Sequence, residues 1–119
     1  MTGTIDLGRR GEAYAAEFFR ERGAQVIDTN VHFGSGEIDI IVREPDGTVV
    51  FVEVKTRTGH GFGGAESVTP RKLHRMRSAA TRWLSGRPYA PVRFDVIVLY
   101  VAGGGFELTH YEGVEHGAG

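Results

Sequence analysis

The sequence predicts an α/β fold, a mixed β-sheet flanked by helices, on the basis of three observations. Alternating apolar and polar residues in the middle of the chain mark two neighbouring strands. Apolar residues at helical spacing mark one helix before those strands and another after them. The second helix is followed by Phe94–Val101, a mostly apolar run typical of a strand buried on both faces. Because strand, helix and buried strand form a crossover unit, we expect these two strands to run parallel.

The first helix is predicted from about Leu7 to Arg22. Asp6 is its expected N-cap, and Gly23 is the expected left-handed residue beyond its end. A short strand is expected to follow at Gln25–Asp28, with an extension to Phe33. The residues expected to form the buried stripe of this helix are Leu7, Gly11, Tyr14, Ala15 and Phe18.

The second helix has the clearest ends in the chain. Thr69 is its predicted N-cap, Pro70 occupies the first helical position, and Gly86 ends it. Val68 is expected to pack on Leu73 across the start of the helix. The apolar stripe of this helix is expected to contain Leu73, Met76, Ala80, Trp83 and Leu84.

The two middle strands, residues 37–43 and about Thr48–Thr56, are separated by Pro45-Asp46-Gly47. Proline at the first turn position and glycine at a left-handed position predict a three-residue hairpin loop with a glycine bulge. Such a loop pairs Glu44 with Thr48 and thereby sets the register of the whole hairpin.

This register places Asp39 directly opposite Glu53, with Lys55 on the same face. Facing carboxylates repel by about 4 kcal/mol at ~4 Å and an effective dielectric constant near 20, which exceeds the ~1 kcal/mol of a favourable cross-strand pair. Lys55 supplies one positive charge, and a hard divalent cation would supply the rest. Glu37 lies opposite Lys55 and is expected to form an ion pair with it. The opposite face of the strand at residues 37–43 is expected to carry Ile38, Ile40 and Val42.

Positive charge is concentrated in one part of the chain. Residues 67–94 contain seven Lys and Arg residues and no Asp or Glu. A local block of this kind is the usual electrostatic footprint of a polyanionic partner, and a solvated helix face is the alternative interpretation. Arg71, Lys72 and Arg75 are the candidates for contact with nucleic-acid phosphates.

The length of the chain predicts one domain spanning residues 1–119. A last strand is expected at Phe106–Tyr111, followed by a loose tail at 113–119. Asp95, at the start of the buried strand, is expected to be a structural hydrogen-bond acceptor. The chain has no cysteine, which excludes a disulfide scaffold and a Cys-ligated metal site. The N-terminus lacks a secretory pattern, and no apolar run approaches the ~20 residues that span a bilayer. We therefore expect a cytoplasmic protein that does not associate with membranes.

The segment Gly59–Gly64 matches the letters of the dinucleotide-binding pattern G-x-G-x-x-G. The context does not fit, because the helix starts only at Thr69 and Pro70 and no acidic residue occurs between residues 67 and 94 to bind a ribose. We interpret the segment as a flexible loop beside the site.

An aspartate about fourteen residues before Glu-x-Lys resembles the motif of the PD-(D/E)XK nuclease superfamily. The two segments read Gly36-Glu37-Ile38-Asp39-Ile40-Ile41 and Val52-Glu53-Val54-Lys55-Thr56-Arg57. Gly11-Glu12-x-x-Ala15 in the first helix is similar to the glutamate segment of the Holliday-junction resolvases in that superfamily. From about residue 5 to residue 112 the chain most resembles the YraN-like uncharacterised bacterial family, through Gly8-x-x-Gly11-Glu12, the two segments above, Val68-Thr69-Pro70-x-Lys72 and Arg93-Phe94-Asp95-Val96.

The resemblance implies a restriction-endonuclease-like fold and a site that holds Mg²⁺ or Mn²⁺. Asp39 and Glu53 would bind the metal, with the Val54 carbonyl as a further ligand. Lys55 would orient or polarise the attacking water, and Glu12 would reach the metal through a water molecule. The superfamily motif has a proline where this chain has Ile38; proline there mainly shapes the entry of the strand, so metal binding is still expected.

Two functions of different class follow from these features. The first is a Mg²⁺- or Mn²⁺-dependent endonuclease, a hydrolase of phosphodiester bonds in DNA rather than RNA, acting on branched or repair-associated structures. The second is a nucleic-acid-binding protein that keeps the nuclease fold without catalysis; a scaffold that binds no nucleic acid is the third alternative. A homodimer is expected by analogy with small nucleases that cut two strands.

Overall fold

A five-stranded sheet lies between two helices, one on each face. The computed structural model describes residues 4–58 and 69–114. Its elements in chain order are α1 (Thr4–Glu21), β1 (Gln25–Phe33), β2 (Gly36–Arg43), β3 (Val49–Arg57), α2 (Pro70–Leu84), β4 (Val92–Ala102) and β5 (Gly105–Tyr111). The strands follow the order β1-β2-β3-β4-β5, with β3 and β4 parallel and the other neighbours antiparallel. This confirms the predicted mixed sheet, its flanking helices and the parallel crossover pair.

Alternation along β3 separates two apolar cores. Phe51 faces α2 and packs edge-on against Trp83, with their ring centroids 5.8 Å apart. Val50 and Val52 point the other way, into the core beneath α1 that also contains Phe19. Because side chains two residues apart share one face of a strand, β3 brings every second side chain to the same helix.

Helix α1 begins earlier than predicted, so Asp6 lies inside its first turn and is not the N-cap. Gly23 ends the helix as predicted, with φ +92° and a 2.9 Å hydrogen bond from its N–H to the Arg20 carbonyl. Tyr14 was wrongly assigned to the buried stripe, since it is 43% exposed and packs against Phe106 at the sheet margin. The buried residues of α1 are Gly11, Ala15, Ala16 and Phe19.

Gly11 allows α1 to lie close to the sheet. A Cβ atom at this position would collide with the Thr56 side chain of β3 and press against Leu99 of β4. The short distance between α1 and the sheet therefore requires glycine at position 11. It also brings Glu12, the next residue, close to β3.

The hairpin between β2 and β3 has the predicted loop. The Glu44 N–H donates to the Thr48 carbonyl over 2.8 Å, and the Gly47 N–H donates back to the Glu44 carbonyl over 2.9 Å. Gly47 has φ +94°, the left-handed conformation that the bulge requires. The pairing continues in the predicted register from Arg43–Val49 to Ile40–Val52.

Regular pairing between β2 and β3 stops at Ile40–Val52, so the predicted Asp39–Glu53 cross-strand pair is not formed. The prediction that Ile38 shares a face with Ile40 was also wrong. Ile38 packs in the core beneath α2, whereas Ile40 packs in the core beneath α1. Strand β2 therefore turns over at Asp39, which removes Glu37 from the position opposite Lys55.

The adjacent strand is distorted at the same level. Residues Thr29 and Val31 of β1 pair with Ile40 and Ile38, which places Asn30 across from Asp39. Among the residues that the structure describes, one residue other than glycine has a positive φ, and it is Asn30, with φ +51°. Left-handed backbone of this kind is uncommon outside glycine and is tolerated best by Asn and Asp.

Helix α2 has the predicted start. The Thr69 side chain accepts a 3.1 Å hydrogen bond from the Lys72 N–H, and Pro70 is the first helical residue. The buried residues of the helix are Leu73, Met76, Ala79, Ala80 and Trp83, whereas Leu84 is only partly buried. Val68, the predicted packing partner of Leu73, lies outside the described residues.

Asp95 is the predicted structural acceptor, and it is fully buried. Its carboxylate accepts two 2.9 Å hydrogen bonds from the Arg93 guanidinium and a 3.1 Å bond from the Gly113 N–H, and it lies 2.7 Å from Nε2 of His110. Burial opposes ionisation, but these hydrogen bonds outweigh it and lower the pKa of Asp95. Val114 packs against the core beneath α2, and residues 115–119 lie outside the described part of the chain.

Candidate active site

A cleft of about 390 Å³ opens where β2 and β3 separate. Both helices contribute to it, α1 through Glu12 and α2 through its first two turns. The residues that line the cleft are Glu12, Ser35, Glu37, Asp39, Glu53, Val54, Lys72, Arg75 and Met76. The structure thus brings the predicted carboxylates of α1, β2 and β3 into one site.

Asp39 is 7% exposed and points across the gap to β3. Its Oδ2 accepts a 2.8 Å hydrogen bond from the Val54 N–H. The side chain thus satisfies a main-chain donor at the point where regular pairing has ended. Burial and the nearby Glu53 carboxylate outweigh this hydrogen bond and raise the pKa of Asp39 to about 7.

Glu53 is 5% exposed, and one of its oxygens contacts two ammonium groups. Oε2 lies 3.0 Å from Nζ of Lys55 and 2.6 Å from Nζ of Lys72. Lys55 shares the face of β3 with Glu53, as predicted, but its ion-pair partner is Glu53 rather than Glu37. Glu37 is exposed and lines the cleft instead, because β2 turns over at Asp39.

The two lysines have different proton affinities. Burial, together with the neighbouring positive charge of Lys72, lowers the pKa of Lys55. Burial also acts against the charge of Lys72, but the contact with Glu53 and the negative charges of Glu53 and Asp39 together outweigh it, so the pKa of Lys72 is raised. Lys55 is therefore the ammonium group that gives up its proton more readily.

Glu12 is partly buried, and burial raises the pKa of its carboxyl group. Glu37 and Glu53 act in the same direction through their charges, whereas a hydrogen bond from the Asn30 side chain opposes them. Asn30 was not identified from the sequence. It lies in a segment with the composition of an ordinary strand, and its left-handed backbone depends on the distortion of the sheet around Asp39.

The predicted phosphate-contacting residues occupy three different positions. Arg71 is exposed in the first turn of α2. Arg75 is exposed one turn later and lines the cleft. Lys72 points into the site and contacts Glu53. The segment Gly59–Gly64, predicted to lie beside the site, falls outside the described residues.

Comparison with known proteins places this site in a family context. The pattern of Uncharacterised protein family UPF0102 matches residues 11–99. The chain belongs to this family. A UPF0102 protein of Corynebacterium efficiens is 54% identical over 114 residues, which cover 94% of this chain and 93% of the relative. A UPF0102 protein of Mycobacterium tuberculosis is 42% identical, with 92% of each chain covered. The resemblance to the YraN-like family is thereby confirmed.

Two solved structures show partial similarity to this UPF0102 protein. An EndoMS–dsDNA2 complex matches with a TM-score of 0.43 and 20% identity, covering 79% of this chain and 38% of that one. SfsA of Pyrococcus furiosus in complex with Ca²⁺ matches with a TM-score of 0.36 and 14% identity, covering 91% and 64%. Similarities this distant do not decide the function of the family.

The side chains of this UPF0102 protein suit a hard divalent cation. Asp39 and Glu53 offer carboxylate oxygens, and Val54, whose carbonyl completes the predicted donor set, lines the same cleft. Within residues 4–58 and 69–114, no three His, Cys, Asp or Glu side chains are grouped closely enough to hold a metal by themselves. Two carboxylates with main-chain and water oxygens are nevertheless a usual Mg²⁺ environment. Burial, and after it the charge of Glu53, raises the pKa of Asp39, so the ionised form that a metal requires is disfavoured until a cation is bound.

The described residues also bear on membrane association. Within them, no helix is both long enough and apolar enough to cross a membrane. The cytoplasmic location and the single-domain organisation stay predictions.

Proposed function

We propose that this UPF0102 protein is a Mg²⁺- or Mn²⁺-dependent endonuclease that hydrolyses phosphodiester bonds in DNA. One observation carries the proposal. Asp39 and Glu53, both nearly buried, share a cleft with Glu12, Glu37 and Lys72, and Glu53 also contacts Lys55. Burial of like charges is unfavourable for folding, and pKa values perturbed in this way cluster at functional sites.

Asp39, Glu53 and the Val54 carbonyl would hold the metal, which when bound supplies Lewis-acid stabilisation of the negative charge that develops on the phosphate. Two side chains of the protein would act on the attacking water, and the leaving oxygen would take its proton from solvent. Lys55 orients the attacking water and stabilises the developing charge through its ammonium group. Glu12, with its raised pKa, accepts a proton from that water.

The proposal of a nucleic acid as substrate rests on charge. Arg75 lies on the rim of the cleft and Arg71 one turn before it, in a block of seven basic residues without an acid. A phosphodiester backbone bound along α2 would pass the mouth of the cleft, and its affinity should fall steeply with salt.

Branched or repair-associated DNA is the substrate class that the resemblance to Holliday-junction resolvases implies. A homodimer would let two such sites act on opposite strands, and analytical ultracentrifugation tests this part of the proposal.

A second candidate function is nucleic-acid binding without catalysis. One observation favours it: Glu53 is already paired with two lysines, so the charge of this carboxylate is balanced without a metal. Such a protein would bind DNA in a salt-sensitive manner and no more tightly in Mg²⁺ than in EDTA.

The test is incubation of the purified protein with linear, nicked and four-way-junction DNA, in Mn²⁺ and in EDTA. The endonuclease proposal expects cleavage in Mn²⁺ alone, with the four-way junction cut fastest, and loss of cleavage in Asp39→Ala. Binding without cleavage under every condition supports the second function. Cleavage that persists unchanged in Asp39→Ala would exclude this site as its source.

A further inference from the structure

Lys72 and Lys55 contact the same oxygen of Glu53. Their Nζ atoms lie 2.6 Å and 3.0 Å from Oε2, so two positive charges are held around one acceptor atom. A divalent cation bound to this carboxylate would repel each ammonium group twice as strongly as a monovalent cation at the same distance. Metal binding therefore favours the departure of one lysine.

Lys72 is the lysine that can leave. Its side chain is 36% exposed, whereas that of Lys55 is 17% exposed. Lys55 projects from the same face of β3 as Glu53, two residues away, and has little room to withdraw. Lys72 reaches across from another element on a flexible four-carbon stem.

The backbone of Lys72 would stay in place when its side chain moves. Its N–H donates to the Thr69 side chain in the N-cap of α2, and this bond is independent of the contact with Glu53. The side chain can therefore swing about a fixed point at the start of the helix.

Arg75 marks where the released ammonium group would act. It lies three residues after Lys72 on α2, which places the two side chains on the same side of the helix. Both line the cleft, and Arg75 is exposed. A phosphate oxygen at the mouth of the cleft could then accept hydrogen bonds from both residues.

We infer that Lys72 is an exchangeable counter-ion: a divalent cation displaces it from Glu53, and the released ammonium group joins Arg75 in a subsite for a phosphate group of the nucleic acid. The inference rests on the proposed function, because it assumes that Asp39 and Glu53 hold a metal. It makes metal binding and phosphate binding mutually reinforcing, as linkage requires. It also explains why a residue in the basic block is turned inward towards a carboxylate.

The first test is calorimetric titration of the full chain with Mn²⁺ alone. Lys72→Met keeps the length and apolar character of the stem but removes the competing charge, so Mn²⁺ should bind at least about fivefold more tightly, the low end of typical coupling between sites. Lys72→Arg should bind Mn²⁺ more weakly than the wild type, because a guanidinium holds a carboxylate through two parallel hydrogen bonds. Arg77→Met, which removes an exposed charge from the same helix, is the matched control and should bind as the wild type does.

The second test measures linkage with a fluorescein-labelled 20-base-pair duplex, in EDTA and in Ca²⁺, with the integrity of the DNA checked on a gel. The wild type should bind the duplex at least about fivefold more tightly in Ca²⁺ than in EDTA. In Lys72→Met this gain should be largely lost, whereas Arg77→Met should keep it and bind somewhat more weakly under both conditions.

The outcomes separate this inference from the proposed function. If the wild type and Lys72→Met bind Mn²⁺ equally, or if Lys72→Met binds it more weakly, the exchange is overturned while the metal site stands. If neither protein binds Mn²⁺, the proposed metal-dependent function itself fails. Circular dichroism shows whether each variant is folded. Because Lys72→Met and Lys72→Arg are expected to shift the Mn²⁺ affinity in opposite directions, either variant tests the inference if the other does not fold.

Discussion

Two buried carboxylates on different strands of the sheet, Asp95 on β4 and Asp39 on β2, have opposite surroundings. Asp95 is 0% exposed and is surrounded by donors, so that its pKa is lowered despite burial. Asp39 is 7% exposed and accepts one main-chain hydrogen bond, and its burial together with the neighbouring carboxylates raises its pKa to about 7. The first arrangement stabilises the fold. The second leaves negative charge uncompensated, as expected where a ligand completes the site.

The largest expected effect comes from making the same substitution at both positions. Asp95→Asn places an amide NH₂ group against the donors of Arg93 and His110 and should lower the free energy of unfolding by about 3–5 kcal/mol, the usual result of breaking a buried ion pair. Asp39→Asn should leave it unchanged or raise it at pH 8 without metal, because it removes a carboxylate whose charge is disfavoured. Urea denaturation of both variants measures the contrast, and comparable losses of stability would remove the distinction between the two sites.

Catalysis should show the reverse order. Asp39→Asn is expected to lower the rate of Mn²⁺-dependent DNA cleavage at least about 100-fold, as for the loss of one group that stabilises a transition state. Any Asp95 variant that remains folded at low temperature should keep most of its activity. Single-turnover cleavage assays test this, and a cleavage rate in Asp39→Asn within a factor of two of the wild type would contradict the assignment of the site.

The pH dependence of stability should differ in sign between the two carboxylates. The pKa of Asp39 in the folded protein, about 7, lies above its ordinary value of 3.8, so its contribution to stability is fully present below pH ~4 and is lost as the pH rises through 7. The pKa of Asp95 is lowered, so its contribution is present above its ordinary value and is lost in more acidic solution. Denaturation from pH 3 to pH 8 should therefore show Asp39→Asn gaining on the wild type as the pH rises, and Asp95→Asn gaining as it falls.

The smallest expected effect concerns Asn30, which supports the carboxylate site from the neighbouring strand. Asn30→Gly suits the positive φ, whereas Asn30→Ala should be about 1 kcal/mol less stable than Asn30→Gly because alanine is strained there. Both variants lose the hydrogen bond to Glu12, so the pKa of Glu12 should rise further in each. Thermal unfolding and a carboxyl NMR titration measure these effects. Equal stability of the two variants would argue against the left-handed backbone.

Local sequence signals predicted much of this structure. The three-residue loop Pro45–Gly47 and the start of α2 at Thr69 and Pro70 were predicted correctly, because each depends on the conformational preferences of a few neighbouring residues. The register followed from the loop and held as far as Ile40–Val52. The predicted register failed at Asp39, because the Asp39 side chain, and not the main chain of β2, accepts the hydrogen bond from the Val54 N–H. The alternation of residues along a strand does not reveal such a replacement.

Tertiary packing decided what the sequence pattern left open. Tyr14 fits a helical stripe by spacing, but the position of α1 over the sheet leaves it exposed at the margin. Phosphate contact by Lys72 stays a prediction, and the placement of α2 beside β3 brings its ammonium group to Glu53, which the sequence did not indicate. Which residues of a basic helix turn inward depends on the partner element, and neither composition nor spacing specifies that.

The claim that Asp39 belongs to a metal site is tested most directly by a ¹³C NMR titration of its carboxyl group, assigned by comparison with Asp39→Asn. Without metal, the pKa should lie at about 7. With saturating Mg²⁺ it should fall below about 6, because a bound cation favours the ionised carboxylate. A pKa near the ordinary value of 3.8 that Mg²⁺ does not change would contradict the account.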